Sequence, residues 1–336
     1  MAAKKMLKAA ILGFGGMGHC HASQYGTQKD VKLVAVCDID PAKFKMDNVE
    51  INFGNSGKTD VAAMNCYLSY EELIKNEPDL DFIDICLPSD LHCEYSCRAM
   101  KDGFNVLCEK PMALNTADCN RMIKTSYDTG KFLMIAQCLR FDESFNEIRK
   151  AYNSGKYGKL LRFSLRRMGS FPGGWFRDVK RSGGALMDLH IHDADFVLAL
   201  LGNPAAIRAR GVVVKSGGVD DLSVDFIYPD GGPIVLAESS WARGTWHGGM
   251  AAIFEEATVE VAGGKVTVYQ MDKKLKEIKL PGKGNCYFHE IAYFAKCVKT
   301  GKRPEIASIE STRDTITLLE LEVKSALADG KLVKLK

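Results

Sequence analysis

The apolar residues of this chain fall into two rhythms, which change over at about residue 137. In the first stretch, short and nearly continuous apolar runs alternate with amphipathic ones. The runs predict strands at 8–14, 31–37, 82–87, 105–109 and 132–137. The intervening segments predict helices at 17–27, 41–49, 70–76, 90–102 and 116–129. Phe82-Ile83-Asp84-Ile85-Cys86-Leu87 shows the type, since parallel strands covered on both faces read as near-continuous apolar runs. Strand alternating with helix predicts a doubly wound parallel sheet. Helix starts are marked by Pro41 after Asp40 and by Ser69 three residues before Glu72.

Beyond Gln137 the pattern changes. A helix at 144–153 ends at Gly155, and a strand follows at 160–168. A Gly- and Pro-rich stretch, Gly169 to Gly184, leads into a predicted helix from Ala185 to Leu201, which stops at Gly202-Asn203-Pro204. Segments at 206–214, 222–228, 234–242, 251–262 and 265–269 are separated by turns such as Pro229-Asp230-Gly231-Gly232 and Gly263-Gly264. They predict an antiparallel meander. Helices at 287–299 and 308–329 close the chain. With 336 residues, two domains are expected, 1–136 and 137–336, the last helices being free to pack back on the first.

One turn carries chemistry. Gly13, Gly15 and Gly18 form G-x-G-x-x-G between the first strand and the first helix. Gly13 permits a tight turn, Gly15 lets backbone approach a pyrophosphate, and Gly18 lets helix and strand pack closely. The helix start offers free N–H groups and a positive dipole end. The loop residues Phe14, Gly16 and Met17 belong to the same surface. Asp38 ends the second strand, twenty residues past Gly18, where a carboxylate hydrogen-bonds a ribose 2′-hydroxyl. The acids of Asp38-Ile39-Asp40 would repel a 2′-phosphate, and the nearest cation is Lys43. The reading is NAD in preference to NADP.

Bulk composition narrows the partners. The 45 basic and 42 acidic residues leave +3, too balanced to point to nucleic acid or a membrane surface. No apolar run approaches eighteen residues, and no apolar leader with a cleavage site precedes the first strand, so neither span nor signal peptide is expected. Eleven cysteines without a C-x-x-C pair read as reduced cytoplasmic thiols used as small core residues.

Three further stations look functional. Glu109-Lys110-Pro111 ends the strand 105–109, where ligands sit in open α/β sheets, and an ammonium there polarises a carbonyl or stabilises an alkoxide. On the predicted helix 185–201, Asp188 and His192 are four apart and share a face, with Asp195 on roughly the same side and His190 pointing away. A carboxylate beside an imidazole raises its pKa and fixes its tautomer. Arg140, Trp175 and Arg177 are candidates for substrate hydroxyls or cofactor phosphates, and Pro88-Ser89-Asp90-Leu91-His92 follows the strand 82–87 beside the expected cofactor.

Together these segments resemble the glucose-fructose oxidoreductase, inositol dehydrogenase and MocA-type (Gfo/Idh/MocA) oxidoreductases over nearly the whole chain. The resemblance rests on the Gly13–Gly18 loop with Asp38, Pro88 to His92, Glu109-Lys110-Pro111, Arg140-Phe141, and the block from Gly183-Gly184 through Asp188 to His192. Leu87, Ser89 and His190 depart from the usual Thr, Asn and Gly. The resemblance implies an N-terminal Rossmann domain and a C-terminal α/β domain on a broad, mostly antiparallel open sheet, through which homodimers or homotetramers form. It also implies oxidation of a sugar, cyclitol or similar polyol, with Lys110, Asp188 and His192 around the nicotinamide. His192 would take the hydroxyl proton, Lys110 would steady the alkoxide, and Asp188 would orient His192 or a substrate hydroxyl. No metal is expected. Two rivals remain: an NAD-binding sensor without turnover, and a metal-dependent hydrolase using His190 and His192.

Overall fold

The computed structural model of the protein describes residues 6–46, 49–51, 54–271, 275–282 and 284–335. The chain forms two compact units. One comprises residues through Cys138 with Gly284–Arg313, the other Leu139–Lys283 with Asp314–Lys336.

Among the described residues the first unit holds a six-stranded parallel sheet: β1 (Leu7–Leu12), β2 (Val31–Cys37), β3 (Asn65–Tyr67), β4 (Phe82–Ile85), β5 (Asn105–Glu109) and β6 (Leu133–Ala136). Their spatial order is β3-β2-β1-β4-β5-β6. It reverses between β1 and β4, and ligands bind outside the carboxyl ends at such a switch point. β4 and β6 are buried at every position, which accounts for their unbroken apolar runs. Helices α1 (Gly16–Tyr25), α2 (Tyr70–Asn76), α3 (His92–Lys101) and α4 (Thr116–Thr129) alternate with the strands. Ser69 Oγ accepts from Glu72 N at 3.2 Å, and Asn115 Oδ1 from Asp118 N at 2.8 Å, so both starts are capped by side chains.

The expected helix 41–49 is replaced by a short 3₁₀ turn, Pro41–Lys45, with Asp40 Oδ1 capping Ala42 N at 3.0 Å. The backbone is extended by Met46, and residues 47 and 48 lie outside the described residues. Phe44 alone gives no apolar stripe at helical spacing to hold more turns together. β3 was not expected, being three residues long and largely polar.

In the second unit α5 (Glu143–Ser154) precedes β7 (Leu160–Ser170), and α6 (Ile191–Leu201) precedes β8 (Ala206–Val213), β9 (Val219–Ile227), β10 (Ile234–Ser240), β11 (Ala242–Phe254), β12 (Ala257–Ala262), β13 (Lys265–Gln270) and β14 (Lys276–Ile278). The chain closes with α7 (Cys286–Thr300) in the first unit, α8 (Ile309–Leu327), within which the unit boundary falls, and β15 (Val333–Lys334). The described residues form a nine-stranded sheet in the order β14-β13-β12-β11-β7-β10-β9-β8-β15. It is antiparallel except where β7 runs parallel to β10, so the expected meander is interrupted once. Phe196 of α6 packs edge-on against Phe145 of α5 and Phe163 of β7, with centroids 5.0 and 6.0 Å apart, and anchors both helices on the sheet.

Two expectations are corrected here. The segment read as one strand, 251–262, is the end of β11 and all of β12 joined by a tight turn. The start of β11 went unseen because Arg243-Gly244-Thr245-Trp246-His247 is exposed and glycine-containing, with no apolar alternation. The segment read as one α-helix, 185–201, begins as a π-turn, Leu186–His190, before α6. An i→i+5 turn changes the phase between Asp188 and His192, so the four-residue spacing no longer places them on one face by α-helical arithmetic. No helix among the described residues is long and apolar enough to cross a membrane.

Candidate active site

In the first unit the glycine loop lies between the carboxyl ends of β2 and β4. Gly13 N donates to Cys37 O at 2.8 Å, and Cys86 N donates to Leu12 O at 2.8 Å. A Cβ on Gly13, whose φ is +94°, would sit 2.6 Å from Cys86 O. One on Gly18 would sit 2.2 Å from Gly13 O. Both glycines are therefore demanded by the fold. Gly15 differs: nothing lies within 4 Å of where its Cβ would be. Gly15 is also the N-cap of α1, with no side chain capping it and no acid in the first turn. Open space beside bare backbone at a helix start suits a pyrophosphate, so the residues present fit a dinucleotide. Gly16 and Met17 are half-buried beside it, whereas the Phe14 ring is fully buried against His19, with centroids 3.9 Å apart.

Asp38 is placed as expected, half-buried just past β2. Its Oδ2 accepts from Phe14 N at 2.7 Å and its Oδ1 from Asp40 N at 2.9 Å. The carboxylate thus braces the glycine loop. Ile39 beside it is 89% exposed.

Pro88 caps a 3₁₀ turn, Ser89–Leu91, beyond β4, and Ser89 is buried. His92 is buried as well. Its Nδ1 lies 2.7 Å from Pro111 O and its Nε2 2.8 Å from Leu87 O, so the ring clasps the loop after β4 to the loop after β5. Burial holds its pKa below the ordinary value, against the raising pull of those carbonyls. Lys110, half-buried, follows the last residue of β5.

Sequence reasoning missed what lies beneath Lys110. Glu109 is buried. One carboxylate oxygen accepts from Lys110 N at 3.0 Å, and the other lies 2.9 Å from His21 Nε2. His21 Nδ1 lies 2.9 Å from Asp84 Oδ2, which also accepts from the Tyr25 hydroxyl at 2.8 Å. Burial opposes protonation of His21, yet the Asp84 carboxylate raises its pKa well above the ordinary histidine value. Burial would push the Glu109 carboxyl up, but the bond and charge of His21, with Lys110 adding to them, hold it below the usual range. A signal was present: Asp84 is a charge inside an otherwise apolar strand.

In the second unit Asp188 sits on the π-turn and His192 in the first turn of α6, both half-buried. The two acids after His192 are taken by arginines. Asp193 pairs with Arg167 at 2.9 Å, and Asp195 pairs with Arg140 at 2.6 Å through a two-point contact completed by Nε at 2.7 Å. Thr315 donates to Asp195 at 2.9 Å. Arg140 is only 5% exposed, so its guanidinium is built into the unit rather than solvated. His190 is fully buried, with Nδ1 3.1 Å from Ser239 Oγ and Nε2 3.1 Å from Glu322 Oε2. The clusters with metal-ligand spacing among the described residues are His21-Asp84-Cys86 and His21-Glu109-Glu290, which include neither His190 nor His192. The hydrolase reading loses its geometry.

Trp175 and Arg177 lie on a 3₁₀ turn, Gly174–Arg177, in the loop before the π-turn. Trp175 is half-buried and stacks on Phe176 at 3.9 Å, and Arg177 is exposed. Phe171 and Phe176 meet buried Trp241 edge-on at 5.3 and 5.8 Å, and this aromatic cluster packs on Ala185 and Leu189 beside Asp188. Asp220 accepts from the backbone N–H groups of Val214, Lys215 and Ser216 and fixes the loop against which Gly184 passes.

Residues 7–137 match the oxidoreductase family with an NAD-binding Rossmann fold, and residues 145–268 match the GFO/IDH/MocA C-terminal domain. The chain is 28% identical over 277 residues to the inositol 2-dehydrogenase of Rhizobium meliloti, covering 77% of this chain and 79% of that protein. It is 25% identical to the myo-inositol 2-dehydrogenase of Thermotoga maritima, covering 98% of this chain and 99% of that protein. Its fold is similar to the crystal structure of aldose-aldose oxidoreductase from Caulobacter crescentus complexed with glycerol, at a TM-score of 0.84 and 24% identity, covering 98% of this chain and 100% of that one. By both of its domains, the chain belongs to the Gfo/Idh/MocA oxidoreductase family.

Proposed function

We propose that the chain is a nicotinamide-dependent dehydrogenase. It oxidises, reversibly, a secondary alcohol of a cyclitol, a sugar or a related polyol, with NAD preferred over NADP. The observation that carries this reading is the dinucleotide-ready loop, with Gly15 open and Asp38 at its side, on the same sheet whose β5 ends at Glu109-Lys110.

The loop Gly13–Gly18 would hold the pyrophosphate and Asp38 with Ile39 the adenosine ribose. Pro88, Ser89, Glu109 and Lys110 would face the nicotinamide end, and His92 acts through the loops it clasps. Bound there, nicotinamide supplies the hydride acceptor. His192 takes the hydroxyl proton, as an imidazole suits near neutral pH. The Lys110 ammonium offsets the charge that develops on the oxygen. Asp188 orients His192 or a neighbouring hydroxyl. Trp175 offers a flat apolar face and Arg177 a donor to the substrate. Arg140 we assign to holding Asp195.

NAD preference follows from Asp38, a carboxylate where NADP would bring a phosphate. Free thiols at all eleven cysteines suit a reducing cytoplasm. Exposed Leu161, Ile234 and Tyr269 on the nine-stranded sheet suit self-association into a dimer or tetramer.

A nicotinamide fluorescence assay over inositols, sugars and sugar derivatives, with NAD and NADP in parallel, tests the reading. Reduction of NAD by at least one cyclitol or sugar is expected. Tight NAD binding without turnover on any of them would make the chain a nucleotide sensor.

A further inference from the structure

The first unit buries a charged network of which the proposed chemistry uses only the Glu109 end. His21 is fully buried on α1, one turn beyond the glycine loop. Its ring spans two adjacent parallel strands, with Nδ1 2.9 Å from Asp84 on β4 and Nε2 2.9 Å from Glu109 on β5. Asp84 is fully buried and Glu109 is 4% exposed. Two carboxylates side by side in an apolar sheet are costly unless a cation compensates them and hydrogen bonds satisfy them. An imidazolium donating from both nitrogens does both. The Tyr25 hydroxyl adds a bond to Asp84. Glu290 of α7 stands 3.8 Å from His21 Nε2, and burial, with Cys138 adding to it, pushes its carboxyl well above the usual range.

Glu109, the last residue of β5, carries the network toward Lys110. The free end of the Glu109 carboxylate accepts the backbone N–H of Lys110. We propose that His21 is a positioning residue for Lys110: by holding Glu109 it fixes the backbone from which the lysine side chain is presented. The inference rests on the role proposed above for Lys110. A lysine's four-carbon stem has many rotamers, and a fixed backbone narrows where its ammonium can reach. Asp84 and Tyr25 belong to the same device, since they hold the opposite side of the ring.

The test uses the full chain loaded with NAD and the substrate found in the panel. His21→Gln keeps a donor for only one carboxylate. Its kcat is expected to fall about 100-fold, the scale of a small misplacement of a reacting group, with NAD affinity unchanged. In His21→Gln/Glu109→Gln a neutral amide pair replaces the ion pair, and the side-chain carbonyl at position 109 still accepts from Lys110 N. That double variant is expected to regain about tenfold, as coupled neighbours do. Wild-type protein gives a reading that does not depend on a variant folding: histidine ¹⁵N shifts at pH 8 should show both ring nitrogens of His21 protonated. A neutral His21 at pH 8, wild-type turnover in His21→Gln, or NAD affinity falling in step with kcat would each overturn the inference. Lys110→Ala measured alongside separates the two claims. Full turnover there removes the proposed function and this inference with it. Loss there with none in His21→Gln removes this inference alone.

Discussion

Asp38 Oδ2 accepts the backbone N–H of Phe14 at 2.7 Å, so the residue proposed to select the cofactor also braces the glycine loop. The two roles separate by substitution. Asp38→Asn keeps an acceptor for Phe14 N and loses the charge. It should fold like the wild type, while its preference for NAD over NADP, as a ratio of kcat/KM, falls by about tenfold, the equivalent of about 1.4 kcal/mol. Asp38→Ala loses the brace as well, and stability should drop by about 1 kcal/mol. An unchanged ratio in Asp38→Asn would remove the argument for NAD.

The three loop glycines should respond differently to one methyl group. Gly18→Ala drives a Cβ against Gly13 O at 2.2 Å, and backbone cannot yield cheaply, so soluble yield and thermal midpoint should fall. Gly13→Ala adds strain at positive φ to a similar clash. Gly15→Ala meets nothing within 4 Å. It should fold normally and lose NAD affinity, as read by titration of the purified variant. Normal NAD affinity in Gly15→Ala would place the pyrophosphate elsewhere.

Arg140 and Asp195 form a buried two-point ion pair. Arg140→Met leaves the Asp195 charge uncompensated and should cost about 3–5 kcal/mol in urea unfolding. Arg140→Met/Asp195→Leu should recover much of that loss. If Arg140 instead bound substrate, Arg140→Met would raise KM at unchanged stability.

His21 makes folding depend on pH in a defined direction. Its folded pKa is raised above the ordinary value, so the native state holds a proton that the unfolded state releases. The contribution is complete below about pH 6.5 and is lost as pH rises toward the folded value. The stability gap between wild type and His21→Gln should therefore narrow by about 1.4 kcal/mol per pH unit above pH 6.5. Urea unfolding at pH 6, 7 and 8 checks it, and a constant or widening gap contradicts it.

The first unit was legible because most of its strands, β3 excepted, are largely buried. Val31–Cys37 and Asn105–Glu109 are the expected runs to the residue, and Tyr70–Asn76 and Thr116–Thr129 are the expected helices. Apolar continuity and capping residues carry that information locally. The π-turn at Leu186–His190 was not legible, since its residues read equally well as an α-helix and its widened hydrogen-bonding leaves no mark on periodicity. Nor was the fate of the acids around His192. Asp195 looked like a candidate on the side of the imidazole, and only the fold brings up Arg140 to claim it, as it brings Arg167 to Asp193. The His21 network spans a helix and two strands that are distant in sequence, so its partners could not be named beforehand, although Asp84 in an apolar strand announced that some partner existed.

The central claim is that Lys110 and His192 perform the chemistry on the substrate alcohol. Steady-state turnover of Lys110→Ala and His192→Ala on the panel substrate, with NAD affinity measured on the same samples, tests it most directly. Loss of about 10²- to 10⁴-fold in kcat for each is expected, the range for a removed charge stabiliser or general base, with NAD still bound. Wild-type turnover in either variant would contradict the account.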